Sequence, residues 1–226
     1  MIAFHGNPAI KEHYLARLAA HEAADEIIHG VYWEKGKGCA VGCTVHSSSH
    51  AAYETELEIP IALARLEDTL FEHQRNGDSK TFPRRFLEAI TPGADLSRVV
   101  WQFLHWLLTE ELTGRDDPRV AAQIKRCADV LVPLMKGEPV DKEEARNAAY
   151  AAYAAYNAYD ASAASAASAA SAAYAAYDAY DADAAAHAAS AAYAAYDADA
   201  AKRMADKLLE LMARAPMAPY FARDAA

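Results

Sequence analysis

The chain has few of the features that would place it in a membrane, outside the cell or on nucleic acid. Its 226 residues contain no uninterrupted apolar stretch long enough to span a bilayer, and the N-terminal segment lacks the charged and apolar regions of a signal peptide. Only three cysteines occur, an odd number that suits a reducing compartment. Basic residues (22) are outnumbered by acidic ones (32), which gives a formal net charge of −10. We therefore expect a cytoplasmic protein without a membrane segment and without a basic surface for nucleic acid.

Helix breakers are missing from a long C-terminal stretch. No Gly or Pro occurs between Pro139 and Pro216, and 32 of the 54 residues from Ala148 to Ala201 are alanine, the best helix former. The same 54 residues contain no Leu, Ile, Val, Met, Phe, Lys or Arg. Asp141 provides an N-cap just after a proline. The sequence therefore predicts one very long helix over residues 142–215, which is ~110 Å long if straight and shorter if it bends or folds back.

A non-alanine residue recurs at every third position through most of this stretch. Because an α-helix turns about 100° per residue, such a stripe winds around the helix instead of marking one face. Alanine buries little apolar area, so we expect the tyrosines to supply most of the contacts, as a surface for a protein partner or for self-association. An expanded short DNA repeat that a helix tolerates would explain the same period without a function. The predicted binding surface consists of nine tyrosines: Tyr150, Tyr153, Tyr156, Tyr159, Tyr174, Tyr177, Tyr180, Tyr193 and Tyr196.

Apolar residues elsewhere recur at helical spacing, and no segment alternates with the period of two that marks a strand. We therefore predict an all-α helical bundle, with an N-terminal domain over residues 1–138 and the long helix with a short tail over 139–226. Residues 99–108 are apolar around nearly the whole helix, so this segment should be the least exposed. Further helices are predicted over 8–29, 60–75 and 83–90 and from Pro118 onwards.

Thiols and imidazoles are concentrated in one glycine-rich segment, residues 36–50, which reads GKGCAVGCTVHSSSH. Its C-x3-C-x2-H-x3-H spacing matches no zinc module, and one helix alone cannot arrange four tetrahedral ligands. The predicted helix over residues 8–29 would place a histidine and an aspartate on its buried face, where they would complete such a site. The metal hypothesis, with zinc or iron as the ion, therefore involves Cys39, Cys43, His46, His50, His21 and Asp25.

The same segment allows two other interpretations. Glycines around Cys39 permit a tight turn into a helix N-terminus, where a thiolate is favoured, and His46 or His50 would then act as the base of a thiol nucleophile. Alternatively, Gly38, Ala40 and Gly42 are small to allow close packing, and the thiols simply fill the core. Residue types and spacing leave these alternatives open.

Two stretches carry a resemblance to known groups of proteins. The GKGCAVGC loop together with an Ala-rich tail resembles an uncharacterised group of bacterial and phage-borne proteins. The amphipathic helix, Gly-containing turn, acidic cap and AAx triplets of residues 118–155 are similar to Ala-rich immunity proteins of toxin systems. The resemblance implies a helical fold and a role in immunity or phage–host conflict, and it assigns no functional residues. We therefore expect a non-catalytic binding or self-associating protein, with a metal- or thiol-dependent enzyme as the alternative.

Overall fold

A computed structural model describes residues 1–112, 118–158, 171–172, 174, 187–191 and 199–219. Chain contacts divide the protein into two compact units, Met1–Ser97 with Ala201–Ala226, and Arg98–Ala200. The boundary predicted between residues 138 and 139 falls inside the second of these units. Both units are built mainly from helices, which confirms the predicted all-α class.

Within its described residues the first unit contains a short 3-10 helix over Ala3–Gly6, six α-helices and a short hairpin. Asn7 caps the first helix, because its Oδ1 accepts a hydrogen bond from the Ala9 N–H at 3.0 Å and Pro8 fits the first helical position. The elements are α1 (Pro8–Ala23), β1 (Trp33–Glu34), β2 (Lys37–Gly38), α2 (Ala40–Val45), α3 (Ala52–Leu57), α4 (Ile61–His73), α5 (Asn76–Ala89) and α10 (Ala200–Ala213, of which Ala200 belongs to the second unit).

Helix α1 ends six residues earlier than the sequence predicts. Asp25 adopts a left-handed conformation (φ 55°), and the Glu26 N–H then donates to the His21 carbonyl at 3.0 Å, which folds the chain back on the end of the helix. The prediction that Asp25 lies on the buried face of this helix was wrong for this reason. The following residues run alongside the hairpin, where Ile27 and Gly38 form a parallel bridge.

The hairpin was not predicted. Strands β1 and β2 are antiparallel, with Trp33 opposite Gly38 and Glu34 opposite Lys37. The turn between them has positive φ at both Lys35 and Gly36, as a two-residue hairpin turn requires. Strands of two residues are too short to show an alternating pattern, so the period-two criterion could not reveal them.

A second difference in this unit concerns Asn76 and Gly77, which follow the helix predicted over 60–75 and have residue types that commonly end a helix. They instead begin α5, because the Asp78 and Ser79 N–H groups both donate to the Arg75 carbonyl at 2.9 Å. The helix is longer than the predicted 83–90 segment and contains Pro83 in its interior.

The second unit contains α6 (Val99–Trp106), which continues as a π-helical turn over Leu107–Glu111, α7 (Pro118–Asp129), α8 (Val132–Lys136) and α9 (Lys142–Ala158). Asp141 caps α9 as predicted, since its Oδ1 accepts from the Glu143 and Glu144 N–H groups at 3.0 and 3.1 Å. Several side chains between residues 99 and 108 are only half-buried, whereas every residue from Gly38 to Val45 is buried. The prediction that residues 99–108 are the least exposed segment was therefore wrong.

The single helix predicted over residues 142–215 is not shown. Helix α9 is described to Ala158, residues 171–172, 174 and 187–191 are helical, and α10 covers the end of the predicted range. The remaining residues of the range lie outside the described part of the chain. Within the first unit, residues at the end of the predicted range contact the N-terminal part of the chain, and the bend or fold-back of the whole segment stays a prediction. The Arg85 side chain pairs with Asp206 at 2.8 Å, and the Asp95 N–H donates to the Pro216 carbonyl at 2.8 Å.

None of the helices in the described ranges combines the length and the apolar character that a membrane crossing requires.

Candidate functional site

The glycines of the GKGCAVGC segment allow one backbone to touch another. A Cβ atom added to Gly42 would lie 1.5 Å from the Tyr32 carbonyl oxygen, and one added to Gly38 would lie 2.1 Å from the same atom. The Cys39 N–H donates to the Val31 carbonyl at 2.6 Å across the same contact. Residues 31–33 thus lie directly on the start of α2, and no side chain fits between. The close-packing interpretation of the glycines is confirmed.

Both thiols of the segment are buried. The Cys43 thiol donates to the Gly38 carbonyl at 3.4 Å, and burial raises the pKa of Cys43 to about 12. Burial, and then the nearby Asp68 carboxylate, also raises the pKa of Cys39. A thiol with a raised pKa stays protonated at neutral pH and is a poor nucleophile and metal ligand. The hypothesis of a Cys39 nucleophile with His46 as its base stays a prediction, and this environment gives it no support.

A chain of hydrogen bonds joins a carboxylate to two imidazoles beside this segment. His21 Nδ1 lies 2.7 Å from Glu26 Oε2, and His21 Nε2 lies 2.8 Å from His46 Nε2. His21 is buried, whereas His46 is exposed. The His46 ring stacks on the Trp33 indole, with centroids 4.5 Å apart and an angle of 10° between the planes. The predicted proximity of His21 to the histidines of the segment is therefore confirmed for His46.

The surroundings of His46 lower its pKa. Although the residue as a whole is exposed, burial of part of its ring is the first cause, followed by the positive Arg17 side chain and the neighbouring His21. The backbone of His46 is left-handed (φ 53°) and ends α2, and its N–H donates to the Gly42 carbonyl at 2.9 Å. A neutral imidazole held by a partner imidazole and a carboxylate can accept and release a proton.

Two residues of this cluster, Glu26 and Trp33, were not among the predicted site residues. Glu26, not Asp25, supplies the carboxylate, because the turn at Asp25 points that side chain outward, where it pairs with Lys80. Trp33 comes from the hairpin that the sequence did not reveal. The proximity of Glu26 to His21 depends on this turn, which helical spacing alone does not indicate.

His50 lies in a second, separate group. Its Nε2 is 3.2 Å from Asp68 Oδ2, and both side chains are largely buried. The Tyr32 ring meets the His50 ring edge to face, with centroids 5.7 Å apart. The Asp68 carboxylate is also close enough to the Cys39 thiol to raise its pKa. The four predicted residues of the 36–50 segment are thus divided between two groups.

No three His, Cys, Asp or Glu side chains of the described residues converge as a metal site would require. The two closest imidazole nitrogens, those of His21 and His46, face each other at hydrogen-bond distance. The zinc or iron hypothesis receives no geometric support in this part of the chain.

The described residues of the alanine-rich segment bury alanine on one face and expose tyrosine. Among the residues of α9 whose side chains the structure describes, the buried ones are Ala145, Ala148, Ala149 and Ala152, which follow the i, i+3, i+4, i+7 spacing of one helix face. Tyr150 and Tyr153 are 66% and 46% exposed. Outside α9, Ala172, Ala188 and Ala189 are also buried, and Tyr174 is 41% exposed. These three tyrosines therefore do not supply packing contacts within the chain, and the expectation that tyrosines contact a partner or a second copy stays a prediction.

Helix α7 covers the alanine face of α9. It buries Ile124 and Cys127, and the Cys127 thiol donates to the Ala148 carbonyl at 3.6 Å. At the end of the contact Arg126 forms a two-point ion pair with Glu144, with distances of 2.7 and 3.0 Å. Ala148 and Cys127 are both fully buried at this contact, so the alanine face of α9 is packed directly on α7. The side chains of Tyr156, Tyr159, Tyr177, Tyr180, Tyr193 and Tyr196 lie outside the described residues.

Comparisons with protein-family models, with curated proteins and with solved structures find no match to this chain. The resemblance to immunity proteins of toxin systems rests on the sequence patterns alone.

Proposed function

We propose that the protein is a non-catalytic binding protein that presents the tyrosines of its alanine-rich segment to a basic surface of a partner protein. The observation that carries this proposal is the exposure of Tyr150 and Tyr153 on a helix whose opposite, alanine face is buried. Tyrosine is enriched at interfaces because it offers a rigid contact surface with a polar tip.

Charge favours a basic partner over a second copy of the chain. Residues 148–201 contain six aspartates and no lysine or arginine, so they contribute −6 of the formal net charge of −10. Two such segments brought together would repel each other, whereas a basic surface would be attracted and steered into contact. We therefore propose a partner protein as the occupant of this surface.

The setting follows from the sequence resemblance. An acidic protein that covers a basic one fits toxin immunity or another phage–host conflict, and we include that setting in the proposal. We also place the protein in the cytoplasm, where its three free thiols would stay reduced. The proposal uses neither a metal ion nor a reactive thiol.

The test combines affinity capture with binding of purified proteins. Wild type, the double variant Tyr150→Ser/Tyr153→Ser and the control Tyr32→Ser are used as baits, because Tyr32 is 49% exposed but lies in the other unit. A basic protein that wild type and the control retain and the double variant loses should then bind purified wild type with a salt-dependent Kd.

Two outcomes would contradict the proposal. Equal binding by the double variant would show that the tyrosines are not the contact surface. Sedimentation that shows a dimer of the wild type, lost in the double variant, would identify a second copy as the occupant instead of a basic partner.

A further inference from the structure

A depression with a mixed polar and apolar lining lies in the first unit. Its volume is about 590 Å³, within the usual range of roughly 300–1,000 Å³ for small-molecule sites. Tyr32 forms one wall, the Ser48–Ala51 loop a second and the Arg65 turn of α4 a third. His50, which is buried and held by Asp68, contributes an imidazole to the lining.

The lining is suited to a negative ligand. Within the described part of the chain it contains one guanidinium group, from Arg65, two serine hydroxyls, from Ser48 and Ser49, and no carboxylate. This is unusual in a protein whose acidic residues outnumber its basic ones by ten. The nearby Asp68 carboxylate is directed to the His50 Nε2 at 3.2 Å. Guanidinium and hydroxyl groups are the donors that phosphate and carboxylate oxygens prefer.

The Tyr32 wall is held in place by its backbone. The Tyr32 carbonyl packs on Gly38 and Gly42 so closely that neither residue has space for a Cβ atom. Its ring lies edge to face against the His50 ring, and about half of its surface is exposed beside the depression. A fixed, exposed aromatic face next to donors for an oxyanion provides a stacking surface for a flat ring.

We propose that this depression binds a small molecule that joins an oxyanion, either a phosphate or a carboxylate, to a flat ring. The oxyanion contacts Arg65 and the serine hydroxyls, and the ring lies on Tyr32. This site is independent of the proposed partner surface, because the two involve different units of the protein. Loss of partner binding would therefore leave ligand binding intact, and the reverse also holds.

Four probes test the contributions of the oxyanion and of the ring separately. Phenyl phosphate, benzoate, inorganic phosphate and phenol are each titrated into the full-length protein by calorimetry. We expect saturable binding of phenyl phosphate or benzoate, and the stronger of the two identifies the oxyanion. Inorganic phosphate should bind more weakly because it lacks the ring. Phenol should bind at least about tenfold more weakly than the stronger ring anion because it lacks the charge-assisted hydrogen bonds.

Variants then test the individual contacts. Arg65→Gln should lower the affinity for the tighter-binding of phenyl phosphate and benzoate at least about tenfold. Tyr32→Ala should lower the same affinity while leaving the affinity for inorganic phosphate unchanged. Lys35→Gln is the matched control, since it removes one positive charge from an exposed side chain of the same unit. Ser48→Ala provides a second test of the oxyanion contact if Arg65→Gln does not fold.

The proposal is overturned if neither ring anion binds saturably, or if Arg65→Gln and Ser48→Ala bind it as wild type does. Equal binding of phenol and the ring anions would also overturn it, because the oxyanion would then have no role.

Discussion

The segment Gly38–Val45 and helix α9 use side-chain size in opposite ways. Around Gly38–Val45, large and polar residues point inward: Tyr53 and Glu67 are completely buried, and the Tyr53 hydroxyl donates to Glu67 Oε2 at 2.6 Å. In α9 the smallest side chains are buried and the large ones face outward. The packing around Gly38–Val45 therefore depends on particular pairs of residues, whereas the packing of α9 requires only alanine on one helix face.

This difference predicts how the two regions respond to substitution. Few substitutions should be tolerated around Gly38–Val45. An added atom has no space at the close backbone contacts, and loss of one partner of a buried polar pair leaves the other unpaired, which is costly. The exposed positions of α9 make no such demands. A repeat expanded from a short DNA sequence would be tolerated there and not around Gly38–Val45.

The largest effect is expected for Gly42→Ala. The new methyl group would overlap the Tyr32 carbonyl, a backbone atom that cannot rotate away. We expect a loss of at least about 5 kcal/mol of the free energy of unfolding, or no folding. Gly77→Ala is the control, because its Cβ would meet nothing within 4 Å on helix α5, and it should be neutral or stabilising by about 0.5–1 kcal/mol. Urea denaturation measures both, and equal effects would contradict the close contact.

A smaller loss is expected for Phe103→Ala in the second unit. Phe103 is completely buried on α6, so the substitution removes transfer free energy and leaves a cavity, at a cost of about 3–5 kcal/mol. Trp101→Ala is the comparison within the same helix, since Trp101 is only half-buried. Denaturation midpoints of the two variants check the prediction, and a smaller loss for Phe103→Ala than for Trp101→Ala would contradict it.

The next effect depends on pH and concerns Glu67. Burial, more than any charge, raises the pKa of Glu67 well above its usual 4.5. The folded state therefore keeps a proton that the unfolded chain loses above about pH 4.5. Between the two pKa values the stability should fall as pH rises, by about 1.4 kcal/mol per pH unit.

Glu67→Gln should abolish that part of the pH dependence, because the amide has the same shape and cannot ionise. Urea denaturation from pH 5 upward, compared with the exposed Glu34→Gln control, measures the difference. An unchanged slope in Glu67→Gln would mean that Glu67 is ionised in the folded protein.

His46 should show a weaker dependence of the opposite sign. Its pKa is lowered by burial, then by Arg17 and His21, so the folded state releases a proton that the unfolded chain keeps below about pH 6.5. Stability linked to His46 is then lost as the pH falls through its folded pKa. Titration of the His46 ring by NMR should give a pKa below 6.5, and Arg17→Gln should raise it. A pKa at or above 6.5 would contradict the arrangement.

Much of the fold could be predicted from local signals, and most of the site could not. Proline and capping residues located the starts of α1 and α9, and apolar spacing revealed the helical class. The turn at Asp25 and the hairpin at Lys35 depend on positive φ values at residues other than glycine, which are uncommon and which apolar spacing does not indicate. These two features bring Glu26 and Trp33 to His21 and His46, so the site depends on the part of the fold that local signals do not reveal.

The sequence did contain a signal of one buried polar group. Glu67 follows Leu63 by four residues and precedes Leu70 by three, which places a carboxyl group on the apolar face of α4. Its partner Tyr53 comes from another helix, so the pair itself depends on tertiary packing. The direction of the tyrosines in α9 could not be predicted, because a period of three reaches every side of a helix.

The smallest effect on stability is expected for Tyr150→Ser, and it tests the comparison most directly. Tyr150 is two-thirds exposed, and the alanine face of α9 remains packed on α7 when its ring is removed. The free energy of unfolding should change by less than about 0.5 kcal/mol, whereas Ala148→Leu should cost about 1–3 kcal/mol because the larger side chain cannot fit against Cys127. If the tyrosines packed inside the protein and the alanines faced solvent, Tyr150→Ser would lower the stability more than Ala148→Leu. If Tyr150→Ser leaves folding unchanged and still abolishes partner binding, the tyrosines serve recognition and the alanines serve structure.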